Sequence, residues 1–249
     1  MKPLPVFYAP PELLKDPACV SLPPDEAVHA SRVLRVRTGD HVNVADGEGG
    51  WYRVRLDAVS PKQVTGAVLD RRRDCNEPPT GLSVGLPLLK SRQRFEMFLE
   101  KAVELGVTEI ITLVTERTEG RQRRPERMRQ ILVAAMKQCR RCRLPRLRAP
   151  RTLDEVFAAA CGNGLNCIAH HAADADLVEV LGGSQARGVC ILVGPEGGFS
   201  QREIAHATSS GFVAVSLGPR RLRSETAAMV AAGTVTMHRL HADRQGLAR

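Results

Sequence analysis

Two stretches near the C-terminus combine residue types that can hold a ligand. Gly194-Pro195-Glu196-Gly197-Gly198 follows the apolar run Val189-Cys190-Ile191-Leu192-Val193, and Leu217-Gly218-Pro219-Arg220-Arg221-Leu222-Arg223-Ser224-Glu225-Thr226 follows a second apolar run. Glycines after a buried strand can take positive φ and admit a ligand against the backbone, while proline fixes the turn. Ser200 and Glu203 have capping-box spacing, so a helix is expected directly after the first stretch. In an open α/β sheet, ligands bind beyond the carboxyl ends of strands, where both stretches fall. Neither stretch carries the lysine followed by Ser or Thr of a P-loop, and G-x-G-x-x-G is absent. Each alone is compatible with an ordinary strand-to-helix turn; two in one small sheet point to a shared pocket.

A third feature is electrostatic. The chain has a formal net charge of +9, and the segment from Arg117 to Arg151 holds thirteen Lys and Arg against two Asp and Glu. Elsewhere the two signs nearly balance. Cations this unpaired exceed what a solvated helix face with interleaved ion pairs requires, and they fit a phosphate-backbone footprint.

The elements that must position these residues fall into two grammars. Between His41 and Asp70 three β-branched or aromatic runs are separated by Asp46-Gly47-Glu48-Gly49-Gly50 and by Ser60-Pro61-Lys62, which predicts short strands with tight turns in a small barrel. Residues 71–81 read as a linker, with charge, Pro78-Pro79 and Gly81. Strands and helices then alternate. Strands are predicted at 82–89, 109–115, 166–170, 188–193 and 212–217, and helices at 94–105, 127–141 and 225–238. Phe95, Phe98, Leu99, Ala102 and Val103 form one helical stripe, and Met128, Ile131, Leu132, Ala135 and Met136 another. Such alternation specifies an α/β domain around a mostly parallel sheet.

Composition excludes several classes. No stretch approaches the ~18 consecutive apolar residues of a membrane span, and prolines in MKPLPVFYAPPELLK interrupt any signal-peptide core, so a soluble, non-secreted protein is expected. Seven scattered cysteines in a chain of 249 residues point to reduced thiols. Cys139 and Cys142 form a C-x-x-C without a second pair at zinc-finger spacing, and no metal is expected there.

GPEGGFSQRE followed by LGPRRLRSETAA is similar to the RsmE family of ribosomal RNA uridine N3 methyltransferases, members of the SPOUT class. The resemblance extends through His29-Ala30-Ser31-Arg32-Val33-Leu34-Arg35, Gly39-Asp40, Lys90, the run Lys101-Ala102-Val103-Glu104-Leu105-Gly106-Val107 and Thr115-Glu116-Arg117. It implies a PUA-like β-barrel over residues 1–72 that helps grip RNA and a trefoil-knotted α/β methyltransferase domain over residues 73–249. It also implies S-adenosylmethionine as cofactor, 16S ribosomal RNA within the small ribosomal subunit as substrate, a homodimer packed through the knotted domain, and a cytoplasmic location without membrane attachment. Two readings stay open beside it: a SPOUT enzyme acting at another ribosomal or transfer RNA position, and a non-catalytic RNA-binding ribosome-assembly protein.

On that resemblance the cofactor is expected among Gly194, Pro195, Glu196, Gly197, Gly198, Leu217, Gly218, Leu222, Arg223 and Thr226. Deprotonation of uracil N3 spreads charge onto the carbonyl oxygens, and Arg223 is the expected group to hold it, because guanidinium is a rigid fork of donors that stays charged. An ion pair with Glu225 or another loop carboxylate is its competing structural role. Glu196 and Glu225 are candidate bases, with solvent hydroxide as the alternative. Arg32, Arg35, Arg121, Arg123, Arg124, Arg140 and Arg141 are the expected RNA contacts.

Overall fold

The computed structural model of the chain describes residues 3–14, 16, 18–120, 124–159 and 164–244. It divides into two compact units, one of Met1–Glu77 with Leu132–Leu144 and one of Pro78–Ile131 with Pro145–Arg249.

In the first unit, β1 (Val6–Tyr8), β2 (Cys19–Ser21), the short helix α1 (Pro24–Val28), β3 (His41–Ala45), β4 (Gly50–Val59) and β5 (Val64–Arg73) follow in chain order. The strands form one sheet in the order β1-β3-β4-β5-β2, antiparallel except for β1 beside β3. Strict alternation in β4 sends Tyr52, Val54 and Leu56 inward onto Phe7, Val42 and Val44, while Arg53 and Arg55 face solvent. The three predicted runs became β3, β4 and β5; β1 and β2, three residues each, were too short to read.

The division between the units, at Glu77 and Pro78, falls inside the expected linker at 71–81, but the linker is shorter than expected. Arg71, Arg72 and Arg73 extend β5 and pair with Tyr52, Trp51 and Gly50. Glu77 then accepts hydrogen bonds from Arg141 Nη2 at 2.7 Å and from the Cys142 and Arg143 amides at 2.8 and 2.9 Å. A carboxylate that satisfies a guanidinium and two amides holds its segment as firmly as a strand would.

The second unit continues with β6 (Leu82–Pro87), α2 (Arg92–Glu104), β7 (Glu109–Val114), α3 (Pro125–Cys139), β8 (Arg146–Thr152), α4 (Leu153–Ala158), β9 (Gly164–Ala169), α5 (Leu177–Gly182), β10 (Gly188–Leu192), α6 (Gln201–Ser209), β11 (Val213–Val215) and α7 (Ser224–Arg244). All strand pairs are parallel, in the order β11-β9-β10-β6-β7-β8. One face packs Leu113, Ile168 and Leu192 against Leu153 and Val156 of α4, Ala207 of α6, and Phe199 and Phe212 beside it. On β6 and β10, α7 packs together with α2, and α5 lies against α7.

Helix termini follow local rules. Gly106, at φ 81°, closes α2, and Ser200 and Glu203 make the predicted capping box of α6. The helix expected at 127–141 starts earlier, because Pro125 suits a first turn, and stops at Cys139, since Arg140 takes φ 61°. β8 was not predicted: RLRAPRT lacks an apolar alternation because it is an edge strand.

Candidate active site

Because the sheet is wholly parallel, the segments that follow β6, β7, β10 and β11 emerge at the same end. After β10, the Val193 amide still donates to Gly85 O at 2.8 Å. The chain then turns through Gly194–Gly198, with the Gly198 amide donating to Pro195 O at 2.8 Å and Gly198 at φ 67°. Gly194 is obligatory for a different reason: a Cβ there would lie 2.9 Å from the Phe199 amide nitrogen. Three outside groups fix this turn. Arg117 Nη1 donates to Gly197 O at 2.6 Å, the Lys90 amide donates to Glu196 Oε1 at 3.3 Å, and Arg94 Nη1 lies 3.5 Å from that same oxygen.

The segment after β11 is more open. Ser216 is held by its amide on Ala175 O at 2.9 Å, and Ser216 Oγ accepts from the Gly218 amide at 3.2 Å. Gly218 takes φ 104° with nothing within 4 Å of a Cβ built on it. Gly218 to Arg221 and Arg223 are exposed, whereas Leu217, Leu222 and Thr226 are half-buried. Arg223 O accepts from the Ala227 amide at 2.8 Å, so α7 starts immediately after it.

Arg94 ties the two segments together. Its Nε and Nη2 donate to Glu225 Oε1 and Oε2 at 2.7 and 2.5 Å, while Nη1 faces Glu196. Glu225 is only 2% exposed. Burial pushes its carboxyl up, but the Arg94 fork, a backbone amide and the nearby charges of Arg94 and Arg223 outweigh that, and the net direction is down from the ordinary carboxylate value. Glu225 is therefore an engaged anion.

The structure thus brings Glu196, Glu225 and the two glycine turns together around Arg94. The ion pair anticipated between Arg223 and Glu225 is replaced by that between Arg94 and Glu225; among the described residues no carboxylate lies within 4.0 Å of Arg223. Arg141 is corrected as an RNA contact: it is 3% exposed and its guanidinium is bonded to Glu77, so a phosphate cannot reach it without breaking that pair. Arg32, Arg35 and Arg124 are exposed and Arg140 half-exposed, whereas Arg121 and Arg123 lie outside the described residues.

Sequence reasoning missed Arg94, Arg117 and the second role of Glu203. Arg94 did leave a signal, because a cation in the first turn of a helix opposes the helix dipole and needs a partner. Glu203, besides capping α6, accepts from the Glu116 amide at 2.9 Å and so anchors the segment after β7. The Cys142 thiol is buried in the first unit and pushed up to about 12 by desolvation and by Glu77, so it is a neutral thiol. Among the described residues no group of three His, Cys, Asp or Glu could hold a metal ion, and no helix is long and apolar enough to cross a membrane.

Comparison with known proteins settles the lineage. The RNA methyltransferase domain family matches residues 76–236, and the RNA methyltransferase PUA domain family matches residues 22–69. The ribosomal RNA small subunit methyltransferase E of Synechocystis sp. is 31% identical over 91% of this chain and 75% of its own.

The chain belongs to the ribosomal RNA small subunit methyltransferase E family.

Two solved structures agree. A probable rRNA-methyltransferase from Porphyromonas gingivalis superposes with a TM-score of 0.84 at 30% identity, covering 96% of this chain and 99% of that one. The ribosomal RNA small subunit methyltransferase E of Neisseria gonorrhoeae, bound to S-adenosyl methionine, gives 0.83 at 28% identity over 94% and 98%. The family's α/β domain and PUA domain thus account for both grammars of the sequence.

Proposed function

We propose that this protein is an S-adenosylmethionine-dependent methyltransferase acting on N3 of one uridine in small-subunit ribosomal RNA. The observation that carries this reading is the Arg94 fork, which joins the turn holding Glu196 to the helix start holding Glu225 and makes one site of the two glycine segments. Its residues fit the cofactor: Gly194 has no room for a side chain, and Gly198 and Gly218 leave bare backbone at positive φ, so a ligand can lie against main-chain groups. The half-buried Leu217, Leu222 and Thr226 supply the walls, and Pro195 and Glu196 the rim.

When bound, the cofactor supplies an electrophilic methyl group. The chain's own groups prepare the other reactant. Arg223, exposed and with no carboxylate of the described residues within salt-bridge distance, holds the negative charge that spreads onto uracil oxygens as N3 loses its proton. Glu225, already engaged by Arg94, positions the loop; Glu196, on a longer contact to Arg94, is the better candidate to take the proton, with hydroxide as the alternative.

Arg32, Arg35, Arg124 and Arg140 contact RNA phosphates, with residues 1–72 gripping RNA and residues 73–249 carrying transfer. The exposed stripe Val230, Met237 and Leu240 on α7 supports a homodimer packed through this domain, and the family lineage supports a trefoil knot around the site and action in the cytoplasm on small subunits.

The test is mass-spectrometric mapping of methylated uridines in ribosomal RNA from cells with and without the protein. One N3-methyluridine should vanish with the protein; an unchanged map rejects the reading. Calorimetric titration with S-adenosylmethionine separates an enzyme from an RNA-binding module, and RNA affinity should fall steeply with added salt.

A further inference from the structure

Beside the paired segments lies a cavity of about 350 Å³ to which no role has been given. It is bounded by Leu88 to Lys90 after β6, by the first half of α2, by Glu119 and Gly120, and by Arg124 and Met128. Its floor is apolar, with Leu89, Phe95 and Met128 at 4, 2 and 5% exposure. Its rim is charged: Lys90, Arg92 and Arg124 supply cations, and Glu96 and Glu119 supply carboxylates.

The walls are unequal in rigidity. Gly120 is seated against the chain after β6 so closely that a Cβ there would lie 2.1 Å from Leu88 O. Lys90 Nζ meets Glu119 Oε2 at 2.7 Å, an exposed pair that exchanges readily with water or ligand. Arg92 lies 3.3 Å from Glu96, whereas Arg124 has no carboxylate within 4.0 Å among the described residues. The Lys90 amide also donates to Glu196, so the cavity and the first glycine turn share a residue.

We propose that this cavity receives an unstacked pyrimidine nucleotide of the substrate RNA, its base on Phe95 and Met128 and its phosphate on Arg92 and Arg124. The proposal rests on the reading above that the substrate is RNA. An enzyme that works on a nucleobase must draw nucleotides out of their stack, and the base then needs an apolar surface in place of its neighbours. The volume is at the lower end of ligand sites, suited to one nucleotide. Arg124, with no carboxylate of the described residues within 4.0 Å, gives the rim an anion preference that an apolar ligand would not need.

The experiment uses the whole protein and a small-subunit RNA fragment carrying 5-iodouridine in place of uridine. Irradiation should attach the RNA to peptides containing Phe95 or Met128. In parallel, Met128→Trp fills the cavity and Arg124→Gln removes the Arg124 charge; each should lower kcat/KM for RNA about tenfold and leave S-adenosylmethionine affinity within about twofold. If the unaltered protein methylates RNA but its cross-links fall outside residues 88–128, the cavity proposal is wrong and the functional reading stands; if both variants keep full kcat/KM, the cavity proposal is wrong and Arg124 is withdrawn as a phosphate contact, while methyl transfer to RNA stands. If the unaltered protein neither binds nor methylates RNA, both fail. The cross-link is read on unaltered protein, so a variant that does not fold cannot shield the proposal.

Discussion

The two glycine segments follow one sequence grammar, strand then Gly-Pro then helix, yet they are built differently. The one after β10 is braced by Arg117, by the Lys90 amide and by Arg94, and its Gly194 and Pro195 are buried. The one after β11 has Gly218, Pro219, Arg220, Arg221 and Arg223 exposed, and its bracing is confined to Ser216 and to the buried start of α7. A braced turn is a wall made before any ligand arrives, and an open one can adjust its arginines to whatever approaches. Under the proposed function, shape selection for the cofactor falls to the first and charge selection for the RNA to the second.

The contrast can be broken from either side. The largest effect is expected in the open segment: Arg223→Ala should lower single-turnover methyl transfer by about 10²-fold or more while calorimetry still detects S-adenosylmethionine. Unchanged turnover would remove Arg223 from the chemistry.

Next comes the brace. Arg94→Met leaves the nearly buried Glu225 carboxylate without its fork and should cost about 3 kcal/mol in urea unfolding. Adding Glu225→Leu should restore most of the loss. If the double variant is no more stable than the single one, Arg94 and Glu225 do not act as a pair.

Smaller and opposite in logic are the glycines. Gly194→Ala must move the Phe199 backbone and should cost about 1–3 kcal/mol with weakened cofactor binding. Gly218→Ala meets open space and bears only the positive-φ penalty of about 1 kcal/mol. Equal losses in a side-by-side melt would erase the distinction between braced and open.

The smallest effect is acid sensitivity. The folded Glu225 carboxyl lies below its ordinary value, so its contribution to stability is complete above the unfolded-state value and is lost as pH falls through the folded one. Glu225→Gln should flatten that part of the stability profile, measured by urea midpoint between pH 6 and pH 3.

What the sequence made legible were features that leave a local pattern. The stripes of α2 and α3, the capping box at Ser200 and Glu203, and the glycine turns all read correctly because each depends on residues within a few positions of one another. Arg94 and Glu225 are 131 positions apart, and no periodicity records their meeting. Arg141 misled for the reverse reason: in a run of arginines it looks like its neighbours, and its burial against Glu77, 64 positions away, left no local pattern. β8 escaped because three arginines and a proline obscure a strand that has a neighbour on one side alone.

That arginine-rich strand has a consequence for the molecule's behaviour in a crowded solution. A parallel sheet invites further chains to add at its margins, since outer strands expose amides and carbonyls. Here one margin is β8, where exposed Pro150 lacks an amide and Arg146 repels a like-charged copy, and the other is β11, three residues long. Both rims are poor templates, so an apolar six-stranded sheet can be present at high concentration without seeding fibres.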